Sequence, residues 1–402
     1  MSRRRADSPV IIVGAGPAGL VTAHLLHRAG IESIVLERHR REDLELKQAK
    51  AGSIDYRTVQ MLTAEGLCPD VVNFDVENHY CEFRTPAEQV VFDYGAVTGG
   101  RAHFIYPQHL LVGRLGQALI EAGGDVRFGQ AVTSVAQDAD GVTATTADGS
   151  ELRGEVVVGC DGARSAVAHA LEGCEVVEEA PPVRLLAVLG EAPPLEPHTI
   201  YAGHPRGFAG QMRRSPTLTR YYLEVPATDT LEDWPEDRIR QELMIRLLAL
   251  RLLDGVRFIE PSFVDLRMRM TTPMQDRRLF VAGDAAHLIT PAGGKGMNLA
   301  IHDAVELAHG LIDRFGPACS AERLAAYSAT RLPVLWRTQA FSRWMLRLML
   351  AGTDDPAAGP FGAGLKQGWV SALQHDPLLA SWFAHAYAGV DPPSAAAPAK
   401  PC

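Results

Sequence analysis

The first apolar run of the chain, residues 10–13, is mostly β-branched and free of charge, the pattern of a strand buried on both faces. Apolar residues at helical spacing follow over 17–28 (Leu20, Val21, Ala23, Leu25, Leu26), and a second buried strand is predicted over 33–36. Helical spacing returns over 54–65 and over 108–122, where Leu110, Leu111, Leu115 and Leu119 share a side. Residues 76–92 read as strands, and 126–152 as a β-meander with turns at 138–141 and 148–149. A buried strand at 156–158 runs into Gly159-Cys160-Asp161-Gly162, with a helix starting near Ser165. Between 182 and 270 strand-like segments dominate (185–189, 199–202, 220–225, 263–268), interrupted by one amphipathic helix over about 236–253. Another buried strand ends in Gly283-Asp284, and helices are predicted over 297–314, over 321–349 with a kink at Pro333, and over 364–387.

This order predicts an α/β protein. A Rossmann-like nucleotide-binding domain is expected from 1–75, 104–180 and 268–345, and an inserted β-sheet domain from 76–103 and 181–267. A C-terminal helical region is expected over 346–390, and the low-complexity segment 391–402 is read as a disordered tail.

Composition narrows the classes. Length 402 with 47% apolar and 22% charged residues describes a soluble globular protein of two or three domains. A net charge of −9 argues against nucleic acid as a partner. The six cysteines show neither C-x-x-C nor zinc spacing, so reduced thiols, a cytoplasmic location and no metal are expected. Arg3, Arg4 and Arg5 before an apolar stretch imitate a secretory signal, but that stretch leads into the glycine motif described next, so residues 1–8 are read as a basic tail. No run of about 20 apolar residues spans a membrane.

Gly14-Ala15-Gly16-Pro17-Ala18-Gly19 fits G-x-G-x-x-G directly between the first strand and the first helix. In that context Gly14 permits the tight turn, Gly16 lets a pyrophosphate reach the backbone, and Gly19 lets helix and strand pack closely. Glu37 ends the second strand 18 residues after Gly19, where an acid takes ribose hydroxyls. A dinucleotide is the reading these features support. Arg38, Arg40 and Arg41 follow, and suit a 2′-phosphate.

Three motifs in fixed order, G-x-G-x-x-G, Cys160-Asp161-Gly162 and Gly283-Asp284, resemble the para-hydroxybenzoate hydroxylase family of single-component, class A flavin hydroxylases. The resemblance runs from about residue 10 to 387 and is densest at 200–209, Arg220-Tyr221-Tyr222, Glu232-Asp233-Trp234 and 279–298. It implies an FAD-binding first domain, a substrate-binding inserted sheet, FAD as cofactor, and NADPH or NADH, O₂ and a small aromatic acid as partners; a homodimer is left open. The implied reaction hydroxylates a 4-hydroxybenzoate-type acid ortho to its phenol through a C4a-hydroperoxyflavin. A substituted substrate such as 3-amino-4-hydroxybenzoate is the alternative. Readings of other classes are a non-catalytic flavin sensor and an NAD-linked dehydrogenase, though the latter leaves the Gly283-Asp284 segment unexplained.

Carried over position by position, the resemblance gives Glu37 the adenosine ribose, Asp161 and Gly162 contacts to both cofactors, and Asp284 the ribityl and pyrophosphate region. Gly296, Met297 and Asn298 face the flavin pyrimidine edge, and Gln108 the ribityl chain or phosphate. Arg38 joins the cofactor set. Gln48 and Lys50 stand where the family has arginines, which alters part of the phosphate clamp. On the substrate side Arg214 pairs with the carboxylate, Tyr222 assists, and Tyr201 bonds the phenol oxygen. Tyr387 connects Tyr201 toward solvent, the Pro291 carbonyl lies near the reacting ring edge, and Arg220 acts near the flavin. Met212 replaces a serine of the family. Asn78 or His79 falls where its relay histidine stands. Arg206 and Arg213 are read as surface charges.

Overall fold

The computed structural model describes residues 7–45, 52–71, 78–249, 253–350 and 359–389. A six-stranded sheet runs in the order Gln275–Asp276, Leu279–Val281, Val156–Gly159, Val10–Val13, Ser33–Glu37, Asp125–Phe128. All its pairings are parallel except that of the edge strand Gln275–Asp276. Register sets Val13 beside both Leu36 and Gly159, and Gly159 beside Val281. Four strands therefore end on one line, and the loops that follow them open onto one crevice, the place where open parallel sheets bind ligands. Helix Pro17–Arg28 packs on Gln108–Glu121 and on Gly296–Phe315, while the meander Val132–Gln137, Val142–Thr146, Glu151–Gly154 lies against the central strands.

A seven-stranded sheet carries the rest, in the order Phe258–Asp265, Val183–Gly190, Leu218–Pro226, Ala209–Ser215, Thr199–Ala202, Tyr80–Arg84, Gln89–Asp93. Tyr80–Arg84 comes from far upstream and pairs in parallel with Thr199–Ala202. Side chains alternate between faces along each strand. One face (Ile200, Ala202, Tyr221, Leu223) buries against Trp234, Ile239 and Leu243 of the helical segment that follows. The other (Phe83, Tyr201) buries against Phe341, Phe383 and Tyr387 of the C-terminal helices.

Four boundaries differ from expectation. Ala209–Ser215 is a full strand, hidden in the sequence because Gly210, Arg213 and Arg214 mask its alternation. The helix expected to 253 ends at Arg246, and Leu248 takes φ 54°. The strand expected at 263–268 is two, Phe258–Asp265 and Met268–Thr272. The last helical stretch is two helices, Pro360–His375 and Pro377–Ala388, broken where Asp376 accepts from Leu378 N–H and Pro377 takes the first helical position. Helix Tyr327–Met349 passes through Pro333.

Candidate active site

The glycine loop shows why each glycine stands where it does. Gly14 holds φ 103°, and a Cβ there would lie 2.3 Å from the Cys160 carbonyl oxygen. One on Gly19 would lie 1.9 Å from the Gly14 oxygen. Both are demanded by the protein's own packing. A Cβ on Gly16 would meet nothing within 4 Å, so Gly16 is not demanded by the protein's own packing, and its open face lines the cleft. Helix Pro17–Arg28 begins here with no side-chain cap and no acid in its first turn. Helix Gly296–Phe315 starts in the same way. Two uncapped positive helix ends thus border one cleft, which suits the phosphates and electron-rich ring of a flavin nucleotide.

The cleft encloses about 540 Å³. Gly14, Gly16, Glu37, Arg38, Gln108, Asp161, Gly162, Asp284, Gly296 and Met297 all line it. Among the described residues, six arginines and lysines line it against four carboxylates, although the chain as a whole is acidic. Asp284 is exposed between buried Gly283 and Ala285. Glu37 is anchored by its own loop: one oxygen accepts from Ala15 N–H at 2.8 Å and the other from His39 N–H at 2.9 Å. Asp161 accepts from Ala166 N–H at 2.7 Å and from the Ser165 hydroxyl. Burial raises its pKa. Asn298 stands behind the wall. Its side chain donates to the Gly294 and Ser53 carbonyls and accepts from Asp55 N–H, tying the helix start to a neighbouring strand. Gln48 and Lys50 lie outside the described residues.

The far end of the cleft is built by sheet register. Tyr201 stands opposite Gly210, which stands opposite Tyr222, so the two tyrosines share a face with only a glycine between them. Met212 stands opposite Arg220 one step along. Met212, Arg213, Arg214, Arg220 and Tyr222 all reach the cleft, as does Pro291, whose carbonyl also accepts from Gly294 N–H at 3.0 Å. Arg213 is therefore not the surface charge expected. The register shift between Arg213 and Ser215 breaks strict alternation, and Arg213 lies in the cleft wall. Arg206 does pair at the surface, with Glu242. Arg220 is 1% exposed, and its Nε and Nη1 find no acceptor among the described residues. Two buried charged donors without a protein acceptor are costly, and a bound anionic or carbonyl-bearing group would satisfy them. Arg214 is buried, and burial lowers its pKa. Its guanidinium lies against Gly52: a Cβ there would lie 1.9 Å from Nη1, so a side chain at 52 would displace the guanidinium from this position.

Behind this wall runs a buried polar chain. The Tyr201 and Tyr387 hydroxyls are 3.0 Å apart. Burial raises both pKa values, so both stay protonated. Tyr387 is 3% exposed; its ring lies 4.8 Å from that of His103, whose Nδ1 is 3.2 Å from the Tyr94 hydroxyl. His103 is held neutral by burial, its pKa near 3. Asn78 meets His103 through the backbone, and Tyr94 donates to the Asn78 carbonyl. Lys295 is 2% exposed, donates to the Tyr387 carbonyl and lies 3.5 Å from Asp55. Burial lowers the Lys295 pKa against the pull of Asp55. Burial would raise that of Asp55, but Lys295, His302 and His103 outweigh it. Gly52, His109, Arg164 and Lys295 were missed from sequence. His109, Arg164 and Lys295 lie within two residues of the motif residues Gln108, Gly162 and Gly296 in the chain, whereas Gly52 joins the cleft through tertiary contact.

A family model described as an FAD binding domain matches residues 7–342. The chain is 32% identical over 351 residues to p-hydroxybenzoate hydroxylase of Acinetobacter baylyi, covering 85% of each. It is 30% identical to a rifampicin monooxygenase of Streptomyces venezuelae, over 85% of this chain and 71% of that one. The anhydrotetracycline hydroxylase of Streptomyces rimosus superposes with a TM-score of 0.76 at 27% identity, over 95% of this chain and 75% of the other. The family match, the first of these relatives and a cleft that fits the cofactor agree: the chain belongs to the class A flavin hydroxylases, as an FAD-dependent aromatic monooxygenase.

Proposed function

We propose that this enzyme hydroxylates a 4-hydroxybenzoate-type acid ortho to its phenol, using NADPH and O₂. The observation that carries the reading is the single cleft, with a nucleotide-binding end at Gly16 and Asp284 and an end lined by Arg214, Tyr222 and Met212. When bound, FAD supplies the redox chemistry, accepting reducing equivalents from the nicotinamide and activating oxygen. The protein supplies the rest. Arg214 takes the carboxylate in a bidentate grip. Tyr222 orients the ring. Tyr201 donates to the phenol oxygen, which favours the phenolate and makes the ring electron-rich. As the phenol ionises, its proton passes to Tyr201 while Tyr201 passes its own to Tyr387 and Tyr387 gives one on toward solvent, so both tyrosines end protonated as they began.

A second reading, a ring substituted beside the phenol such as 3-amino-4-hydroxybenzoate, is supported by Met212. It presents a bulky, adaptable thioether to the cleft and cannot donate to a carboxylate. Self-association as a homodimer is supported by the exposed Phe361, Leu365 and Trp369 of helix Pro360–His375. The test of function is NAD(P)H oxidation by the FAD-loaded enzyme across a panel of benzoates, with products identified by mass. Hydroxylated 4-hydroxybenzoates are expected. Oxidation that no aromatic acid stimulates would leave a flavin sensor instead.

A further inference from the structure

Asp303 lies about two turns inside helix Gly296–Phe315 and is fully buried. It does not line the cleft. Its Oδ2 accepts from Gly283 N–H at 3.0 Å and from His287 Nε2 at 2.6 Å, and its Oδ1 accepts from Arg331 Nε at 2.7 Å. Arg331 and His287 hold the carboxyl down near pKa 2 against the effect of burial. The charge is therefore permanent at working pH. Gly283 opens the short turn that presents Asp284. It holds φ 60°, and a Cβ on it would come 3.0 Å from the Ala300 Cβ, so the turn sits flush on the helix. Past it, the Asp284 carbonyl accepts from Arg269 Nη2 at 3.0 Å. Gly283 and Asp284 both line the cleft, and of the turn's three residues Asp284 is the exposed one.

We propose that Asp303 is a positioning residue for FAD: by gripping the Gly283 amide from within the helix, it fixes where Asp284 meets the cofactor. Among the described residues the Gly283 amide at the head of this turn is held by the Asp303 carboxylate, and the Asp284 carbonyl by Arg269. His287 and Arg331 aim the Asp303 carboxylate from two sides, so its free direction points at Gly283. The proposal rests on the reading of Asp284 as a cofactor contact.

The test is a cycle of FAD dissociation constants, measured by flavin fluorescence on the full-length apoprotein below its unfolding temperature. The proteins are wild type, Asp303→Asn, Asp284→Ala and the double variant. Asp303→Asn is expected to weaken FAD by at least about tenfold, the scale of one charge-assisted hydrogen bond. In the Asp284→Ala background the same substitution should change the constant less than about twofold, because residues acting through one contact are not additive. Equal losses in both backgrounds would mean that Asp303 only supports the fold, and would overturn the proposal. So would wild-type affinity in Asp303→Asn beside a weakened Asp284→Ala, which leaves the reading of Asp284 standing. Unchanged affinity in Asp284→Ala would remove that reading and the proposal with it. If Asp303→Asn does not fold, His287→Phe keeps the Gly283 and Arg331 contacts. It should cost about threefold, less than loss of the Gly283 contact itself, and again only when Asp284 is present.

Discussion

The hydroxyl oxygens of Tyr201 and Tyr387 lie 3.0 Å apart although 186 residues separate them in the chain. Both are protonated and buried, so each can donate only as the other accepts. Tyr201→Phe is expected to keep FAD and substrate binding and NAD(P)H oxidation. The ratio of hydroxylated product to NAD(P)H consumed should fall by about 10²-fold, the usual share of a positioned proton donor, with hydrogen peroxide released instead. Coupling equal to wild type would reduce Tyr201 to a packing residue.

Arg214→Ala should raise the Kd for 4-hydroxybenzoate by about 10²-fold or more, the scale of a buried charge losing its partner, while FAD affinity stays within about twofold. Gly52→Ala offers an independent check that leaves the arginine in place. The added methyl would lie 1.9 Å from Nη1 and displace the guanidinium, so it should also weaken the acid. Unchanged binding in both variants would show that the carboxylate anchor lies elsewhere.

Met212→Ser trades bulk for a hydroxyl donor in the cleft wall. The ratio of kcat/KM for 4-hydroxybenzoate over its 3-amino analogue should rise by about tenfold, within the range of small pocket changes. A flat response across the panel would remove Met212 from substrate choice.

Arg38 lines the cleft, whereas Arg41 is turned to Gln117. NADPH should be preferred to NADH, and Arg38→Ala should erode that preference more than Arg41→Ala. Equal kcat/KM for the two donors in the wild type would exclude a phosphate-reading role for this cluster.

Two buried histidines set the acid limit of the fold. Burial lowers His103 to about 3 and His302 to about 4, from 6.5. Below pH 6.5 the unfolded chain binds protons that the folded protein refuses, so stability is full above that pH and falls as pH drops toward the folded values. Each histidine contributes up to about 1.4 kcal/mol per pH unit in that window. The apoprotein Tm should fall steadily from pH 6.5 to 4, and His302→Asn should flatten the slope. A Tm independent of pH over that range would contradict the buried, neutral assignment.

What could be read from the sequence was what lies close along it. Gly14, Gly16, Gly19 and Glu37 form one short strand-turn-helix-strand unit, and their spacing states their use. Asp376-Pro377 also carried a legible helix start, which the longer apolar period obscured. Arg213, Gly52 and Lys295 could not be read, because their meaning depends on distant neighbours. Lys295 meets Asp55 across 240 residues, Gly52 lies against the Arg214 guanidinium, and Arg213 reaches the cleft from a strand whose pairing register slips just after it. Asn298 was placed on the correct helix start, but its side chain serves the scaffold.

The central strand Val156–Gly159 lies between Val10–Val13 and Leu279–Val281, and this has a consequence for biosynthesis. A ribosome adding about 5–20 residues per second exposes the glycine loop many seconds before the partner that completes its crevice. The seven-stranded sheet waits in the same way, since Tyr80–Arg84 has no parallel neighbour until Thr199–Ala202 emerges. Such long-range pairings make folding slow. The nascent chain therefore carries half a nucleotide crevice through most of its synthesis, and FAD can draw the equilibrium toward the native state only after strand Leu279–Val281 has left the tunnel to complete it.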